Sequence, residues 1–267
     1  MDNKKSIPII GVPIVNGVHW LEKMVKSIDY PIDNLFIINN NGRGEIDLQL
    51  DKLKELDNKF IKNFHITHFP SNLGVATSWN LIIKSYLMEP YWVICSHDVS
   101  FTPGLLEEIA NAAEDKEVAI IHPHAANFNL GSYDLFVITE KGVRTVGLFD
   151  ENLYPAYGED SDFIMRLHNS QPKMIKGLKN IHRHGDEVAK ADDKHYQKNA
   201  QQTSKEDIVL GKKLKEGNDI NFDYLNKKWG EGWREVSPHW NPFRNKEYPQ
   251  SYTTWDLDFV RKKYLGF

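Results

Sequence analysis

Apolar positions along this chain fall into short β-branched and aromatic runs separated by longer stretches of helical period. Residues 7–15 (IPIIGVPIV) predict a first strand, and an amphipathic helix follows over 18–28. A second buried strand at 35–38 (LFII) ends in Asn39, Asn40, Asn41 and Gly42. Ile46, Leu50, Leu53, Leu56 and Phe60 form a helical stripe over 46–60. A strand at 64–69, a helix at 75–87 and a strand at 91–95 (YWVIC) continue the alternation. Strands alternating with helices imply right-handed crossovers and a mostly parallel sheet. Ligands of such sheets sit beyond the carboxyl ends of the strands. The loops at Asn16, 39–42, Asn72 and 96–98 are therefore where a site is expected.

The pattern then loosens. Pro103 opens a short helix, strands are expected at 118–122 and 134–139, and helices at 160–167 and 204–214. Composition changes after His184: residues 189–221 are polar, and the end of the chain is aromatic, with Trp229, Trp233, Trp240 and Trp255 among its rings. This divides the chain into a larger unit, 1–190, and a C-terminal extension, 191–267, packed on it through those rings.

Of 267 residues 40% are hydrophobic, enough for a sizeable core, and 33 basic against 37 acidic residues leave a net charge of −4. That balance argues against a nucleic-acid partner held by phosphate neutralisation. No apolar run approaches the ~20 residues of a transmembrane helix. Lys4 and Lys5 precede an apolar stretch, but Pro8, Gly11 and Pro13 interrupt it, so it reads as a strand and not a signal peptide. A single cysteine, Cys95, excludes a disulfide framework or a cysteine-based zinc site and fits a cytoplasmic location.

Three places carry candidate chemistry. Asp98 follows the buried strand YWVIC, at the ligand edge of the sheet. Glu159, Asp160 and Asp162 cluster at a helix start, where acidic residues also serve as ordinary caps. His182 and His184 are two apart, on one face if the segment is extended. Carboxylate and imidazole without thiolate suit Mn²⁺ or Mg²⁺ better than structural zinc.

The order of these motifs resembles family 2 glycosyltransferases of the GT-A fold over most of residues 7–190. GVPIVNGVHWLEKMVKSI is similar to that family's first strand and helix, LFIINNNGRG to its second-strand motif, and SNLGVATSWN to its asparagine-glycine motif. SHD stands where the family's DXD metal motif falls, and GLFDENLYPAYGEDSDFIMRL resembles the acceptor-side segment ending in a Glu-Asp catalytic pair. The resemblance implies an α/β, Rossmann-like central sheet flanked by helices, here with a C-terminal helical and aromatic extension. It further implies inverting transfer of a sugar from a nucleotide-diphosphate sugar to an acceptor hydroxyl, with a carbohydrate as acceptor. Asp160 is then the general base, with Glu159 orienting the acceptor or the loop. Pro13, Val15, Asn39, Asn72 and Asp98 would bind the donor, and Asp98, His182 and His184 would hold Mn²⁺ or Mg²⁺. Two positions depart from the family pattern: Ser96 replaces the first Asp of the DXD motif, and Asn39 replaces the second-strand Asp. An amide at Asn39 both donates and accepts, which favours a UDP- or dTDP-sugar over a guanosine donor; the alternative is that Asn39 only holds the turn over 39–42. The alternative is a catalytically inactive nucleotide-sugar or carbohydrate-binding module, which Ser96 favours and the intact Glu159-Asp160 pair opposes.

Overall fold

The computed structural model describes residues 5–123, 133–170, 175–184, 187–188, 207–232 and 257–262. Its elements in chain order are β1 (Ile7–Ile14), α1 (Val18–Lys26), β2 (Ile32–Asn39), α2 (Asp47–Leu53), β3 (Ile61–His68), α3 (Val75–Ser85), β4 (Tyr91–Cys95), β5 (Val99–Ser100) and α4 (Leu105–Ala112). Then come β6 (Ile120–His122), β7 (Leu135–Thr139), α5 (Glu140–Val146), α6 (Glu159–Ser170), β8 (Ile175–Gly177), β9 (Arg183–His184), β10 (Glu187–Val188), α7 (Ile208–Trp229) and α8 (Leu257–Val260).

Seven strands form the main sheet in the order β3-β2-β1-β4-β7-β6-β8. β3, β2, β1 and β4 run parallel, while β7 runs antiparallel to both β4 and β6. The central strands β1 and β4 are buried on both faces, which is why they read as unbroken apolar runs rather than alternating ones. On one face Ile10 and Val12 pack with Leu21 and Met24 of α1 and Leu106 of α4. On the other, Ile9 and Ile38 pack with Trp79 and Ile82 of α3 and with Phe136, Phe149 and Phe163. Gly11 permits that second contact, because a Cβ there would lie 2.5 Å from the Ile82 side chain. A small antiparallel sheet, β10-β9-β5, sits beside the end of β4.

Several boundaries differ from the hydrophobic pattern. The helix expected over 46–60 ends at Leu53, because Asn58 competes with helical hydrogen bonding. Its amide donates to the Val25 and Ile28 carbonyls (2.8 and 3.1 Å) and its oxygen accepts the Phe60 N–H (3.0 Å), turning the chain into β3. Leu56 and Phe60 still join the same core, which is why they mimic a continued stripe. Strand β3 begins at Ile61, three residues early, since an edge strand tolerates the exposed Lys62 and Asn63 on either face at its start. The helix expected at 204–214 runs on to Trp229. Helix α5 is short and contains Gly142, and its start is set by Thr139, whose hydroxyl accepts the Gly142 N–H. Residues 233–256 and 263–267, including Trp233, Trp240 and Trp255, lie outside the described residues.

Candidate active site

The parallel arrangement brings the ends of β1, β2, β3 and β4 to one edge, and the candidate residues gather there. Pro13 and Val15 lie half-buried at the end of β1. Asn40 and Asn41 stitch this end to the β2 loop: the Asn40 N–H donates to the Ile14 carbonyl (2.7 Å) and the Asn41 amide to the Val15 carbonyl (2.9 Å). Asn72 accepts the Gly74 N–H at its side-chain oxygen (2.8 Å), shaping the turn into α3 at the left-handed Gly74 (φ 80°).

Asn39 is 1% exposed and engaged within its own loop. Its amide donates to Asp47 Oδ1 (2.6 Å) and contacts His68 Nδ1 (2.9 Å), while its oxygen accepts the Asn41 N–H (2.9 Å). These contacts fit a turn-holding role for Asn39, beside the base contact expected of it from sequence. Asp47 and His68 were not singled out from sequence, because their meeting requires β2 and β3 to be aligned.

Asp98 follows β4 and is 4% exposed. The register of β5 on β9 sets Val99 opposite His184, so the segment after Asp98 runs beside the His-x-His segment. His97 and His182 are buried, and the His184 side chain lies outside the described residues. Among the described residues no group of three or more His, Cys, Asp and Glu side chains is assembled for a metal ion.

The acceptor-side segment is built from residues 147–162. Asn80 of α3 fixes its start, donating to the Phe149 carbonyl (2.9 Å) and accepting the Phe149 N–H (2.9 Å). Two left-handed residues, Tyr157 (φ 76°) and Gly158 (φ 98°), immediately precede Glu159 at the start of α6. Asp160 is half-buried, and its Oδ1 accepts the Ser161 N–H (2.6 Å). Burial pushes its carboxyl above the usual carboxylate range against the opposing Ser161 hydrogen bond, and the charge of Asp134 adds to the rise. Asp134 was also missed from sequence. Its carbonyl accepts the Ser96 N–H (2.7 Å), which ties the neighbourhood of Asp160 to the SHD segment.

Glu159 and Asp162 are different acids. Glu159 is 6% exposed, its Oε2 has no hydrogen-bond partner among the described residues, and burial followed by the Asp160 charge pushes its carboxyl up to about 8. The native state therefore holds a proton that the unfolded chain releases above its ordinary value of 4.5, and stability falls as pH rises from there to about 8. Glu159→Gln should remove this loss. We expect the variant to match the parent near pH 5 and exceed it by on the order of 1–4 kcal/mol near pH 9. Urea titrations at both pH values check this, and a difference independent of pH would show that Glu159 is not held as a buried acid.

Asp162 is fully buried and ion-paired: Oδ2 accepts from Arg166 Nε (2.9 Å), and Oδ1 from Lys228 Nζ (2.7 Å) and Trp229 Nε1 (2.9 Å). Burial alone would raise its carboxyl, but Lys228 and Arg166 outweigh burial and hold it below the usual range. Lys228 also meets Asp150 Oδ2 (2.8 Å), which accepts the Tyr224 hydroxyl as well (2.7 Å). Asp162 is thereby a structural residue. The Lys-Trp pair at the end of α7 was visible in sequence, but nothing local pointed it at Asp162.

The model of glycosyl transferase family 2 matches residues 9–167. The chain belongs to that family. It is similar to a galactofuranosyl glycosyltransferase of Leishmania donovani, at 24% identity over a match covering 60% of this chain and 52% of that protein. The chain thus spans about half the length of this curated relative. In fold it is similar to the mannosyltransferase PcManGT of Pyrobaculum calidifontis, solved with GDP-Man and Mn²⁺, with a TM-score of 0.51 at 13% identity, covering 72% of this chain and 59% of that one. It is also similar to TarS of S. aureus, with a TM-score of 0.50 at 13% identity, covering 67% of this chain and 36% of that one. The architecture is the GT-A fold of a family 2 glycosyltransferase: a mostly parallel seven-stranded sheet flanked by helices. No helix among the described residues is long and apolar enough to cross a membrane.

Proposed function

We propose that this family 2 chain transfers a sugar from a nucleotide-diphosphate sugar to an acceptor hydroxyl, with inversion, and that Asp160 is the general base. The observation that carries the reading is the contrast among three neighbouring acids. Asp162 is locked in ion pairs, Glu159 is buried as an acid, and Asp160 alone is partly open and hydrogen-bonded in one orientation. An acceptor oxygen attacking the anomeric carbon loses its proton to the Asp160 carboxylate while the bond to the diphosphate breaks and the nucleoside diphosphate departs. Inversion needs only this single in-line displacement.

The donor would lie over the ends of β1 and β2, near Pro13, Val15, Asn39 and Asn72. Asp98 with His182 and His184 would hold Mn²⁺ or Mg²⁺, a carboxylate and imidazole set that suits such an ion once diphosphate oxygens and water complete its shell. When bound, the ion neutralises charge that develops on the leaving diphosphate. Mn²⁺ with GDP-Man in the Pyrobaculum mannosyltransferase supports a metal and a nucleotide-sugar donor here. The name of the Leishmania relative, a galactofuranosyl glycosyltransferase, supports transfer of a sugar; a carbohydrate acceptor is part of the proposal. Residues 191–267 are proposed as an extension packed on the catalytic unit, with α7 as its described part.

Calorimetric titration with UDP and with GDP, each with Mn²⁺ and then with chelator, tests the site. Chelation should weaken nucleotide binding at least about tenfold, a difference of ~1.4 kcal/mol. Asp98→Ala should bind as weakly with Mn²⁺ as the parent does in chelator. Unchanged binding in chelator would remove the metal from this reading, and the stronger nucleotide identifies the base.

A further inference from the structure

We propose that α7 is a working part of the catalytic apparatus, with Asn221 as the positioning residue that sets the backbone presenting Glu159 and Asp160. The proposal rests on the reading of Asp160 as the base. It begins from an unfavourable piece of backbone. Tyr157 is the one non-glycine residue with positive φ among the described residues, and Gly158 beside it is also left-handed. A side-chain-bearing residue holds that conformation only when its surroundings over-determine it.

Asn221 supplies the restraint. It is 1% exposed, and its amide donates to the Ala156 and Tyr157 carbonyls, both at 2.9 Å. Those peptide groups directly precede Gly158 and the catalytic pair. The same helix face meets the segment along its length. A Cβ on Gly217 would fall 2.7 Å from Pro155 Cδ, and a Cβ on Gly158 would fall 2.9 Å from Leu225 Cδ1. Positions 217, 221, 225 and 228 recur every three or four residues, so one stripe of α7 is committed to residues 150–162. From the opposite side the segment is tied to the donor-side loop: the Val75 N–H donates to the Pro155 carbonyl (2.8 Å) and the Tyr154 hydroxyl to the Asn72 carbonyl (3.1 Å). Residues 154–158 are therefore clamped between the donor-side loop and α7, and Asn221 is the polar contact on the catalytic side of that clamp.

Asn221→Leu keeps the branched shape, though it is larger, and removes both donors, and Asn221→Ala leaves room for water to replace them. Both variants are made in the full chain beside Asp160→Asn. We expect Asn221→Leu to lower kcat about a hundredfold and Asn221→Ala less, with KM for the nucleotide sugar and Kd for UDP within about threefold of the parent. Turnover is counted per nucleotide-binding site, so a loss of folded protein alone does not register. Hydrogen exchange should quicken at least tenfold over 154–161 and stay unchanged in β1 to β4. Parent-like kcat per site, or unaltered exchange over 154–161, overturns the proposal. If Asp160→Asn is active while the Asn221 variants are not, the base assignment fails and the positioning role of α7 stands. If Asp160→Asn is inactive and the Asn221 variants are parent-like, the positioning role alone fails. Where Asn221→Leu does not fold, Asn221→Ala decides.

Discussion

Asp160→Asn should lose transfer by about 10²–10⁴-fold while still binding the nucleotide. The amide has the shape of the carboxylate and retains an oxygen to accept the Ser161 N–H, so the geometry of the helix start persists. What it loses is the ability to take a proton from the acceptor hydroxyl. The parent should show the matching pH dependence. A base works only when ionised, and the Asp160 carboxyl is raised above its ordinary value of 3.8 by burial. The rate should therefore climb with pH through a limb displaced above the usual carboxylate range, and Asp160→Asn should lose that limb. Single-turnover rates across the acidic range, with nucleotide affinity measured in parallel, check both. Near-parental turnover by Asp160→Asn would place the base elsewhere, and not at Asp162, whose oxygens are taken by Lys228, Arg166 and Trp229.

Lys228→Met should be the most damaging change to stability, at about 3–5 kcal/mol. Lys228 is 2% exposed and bridges Asp150 and Asp162, which are 1% and 0% exposed. Removing the cation leaves two buried carboxylates facing each other, with Tyr224 and Asn152 as remaining donors to Asp150 and Trp229 and Arg166 to Asp162. The sign with pH follows from Asp162, whose folded value lies below its ordinary 3.8. Such a group stabilises the parent above the unfolded value, and that contribution is lost as pH falls through the folded one. The gap between parent and variant should thus be widest near neutrality and narrow in acid. Adding Asp150→Asn to Lys228→Met should recover part of the loss, because one uncompensated charge is gone. Urea denaturation of the single and double variants tests this, and a loss under about 1 kcal/mol would mean that the bridge is not held in solution.

How much of this was legible in the chain depended on how local each cause is. The runs at β1 and β4 announce strands because a strand buried on both faces needs apolar residues at every position. Their alternation with helices was enough for the parallel order, and that order for the edge where ligands belong. Asp98, Glu159 and Asp160 were visible because each stands beside a recognisable element boundary. The end of α2 was not, since Asn58 turns the chain by bonding to carbonyls 33 and 30 residues away. The contacts that tie Asn39 to Asp47 and His68 were not legible either, since they need β2 and β3 to be aligned.

The sequence by itself determined the family, the sheet and the cluster of three acids, but not which acid does what. Asp160 and Asp162 are two residues apart on one helix, and at about 100° per residue they point to nearly opposite sides. Which side is open and which is buried depends on where α7 lies. Lys228 and Trp229 reach Asp162, and Asn221 reaches the peptides before Glu159, across separations of 64 to 67 residues. No local periodicity encodes contacts at that range, so only the tertiary structure could separate the structural acid from the candidate base.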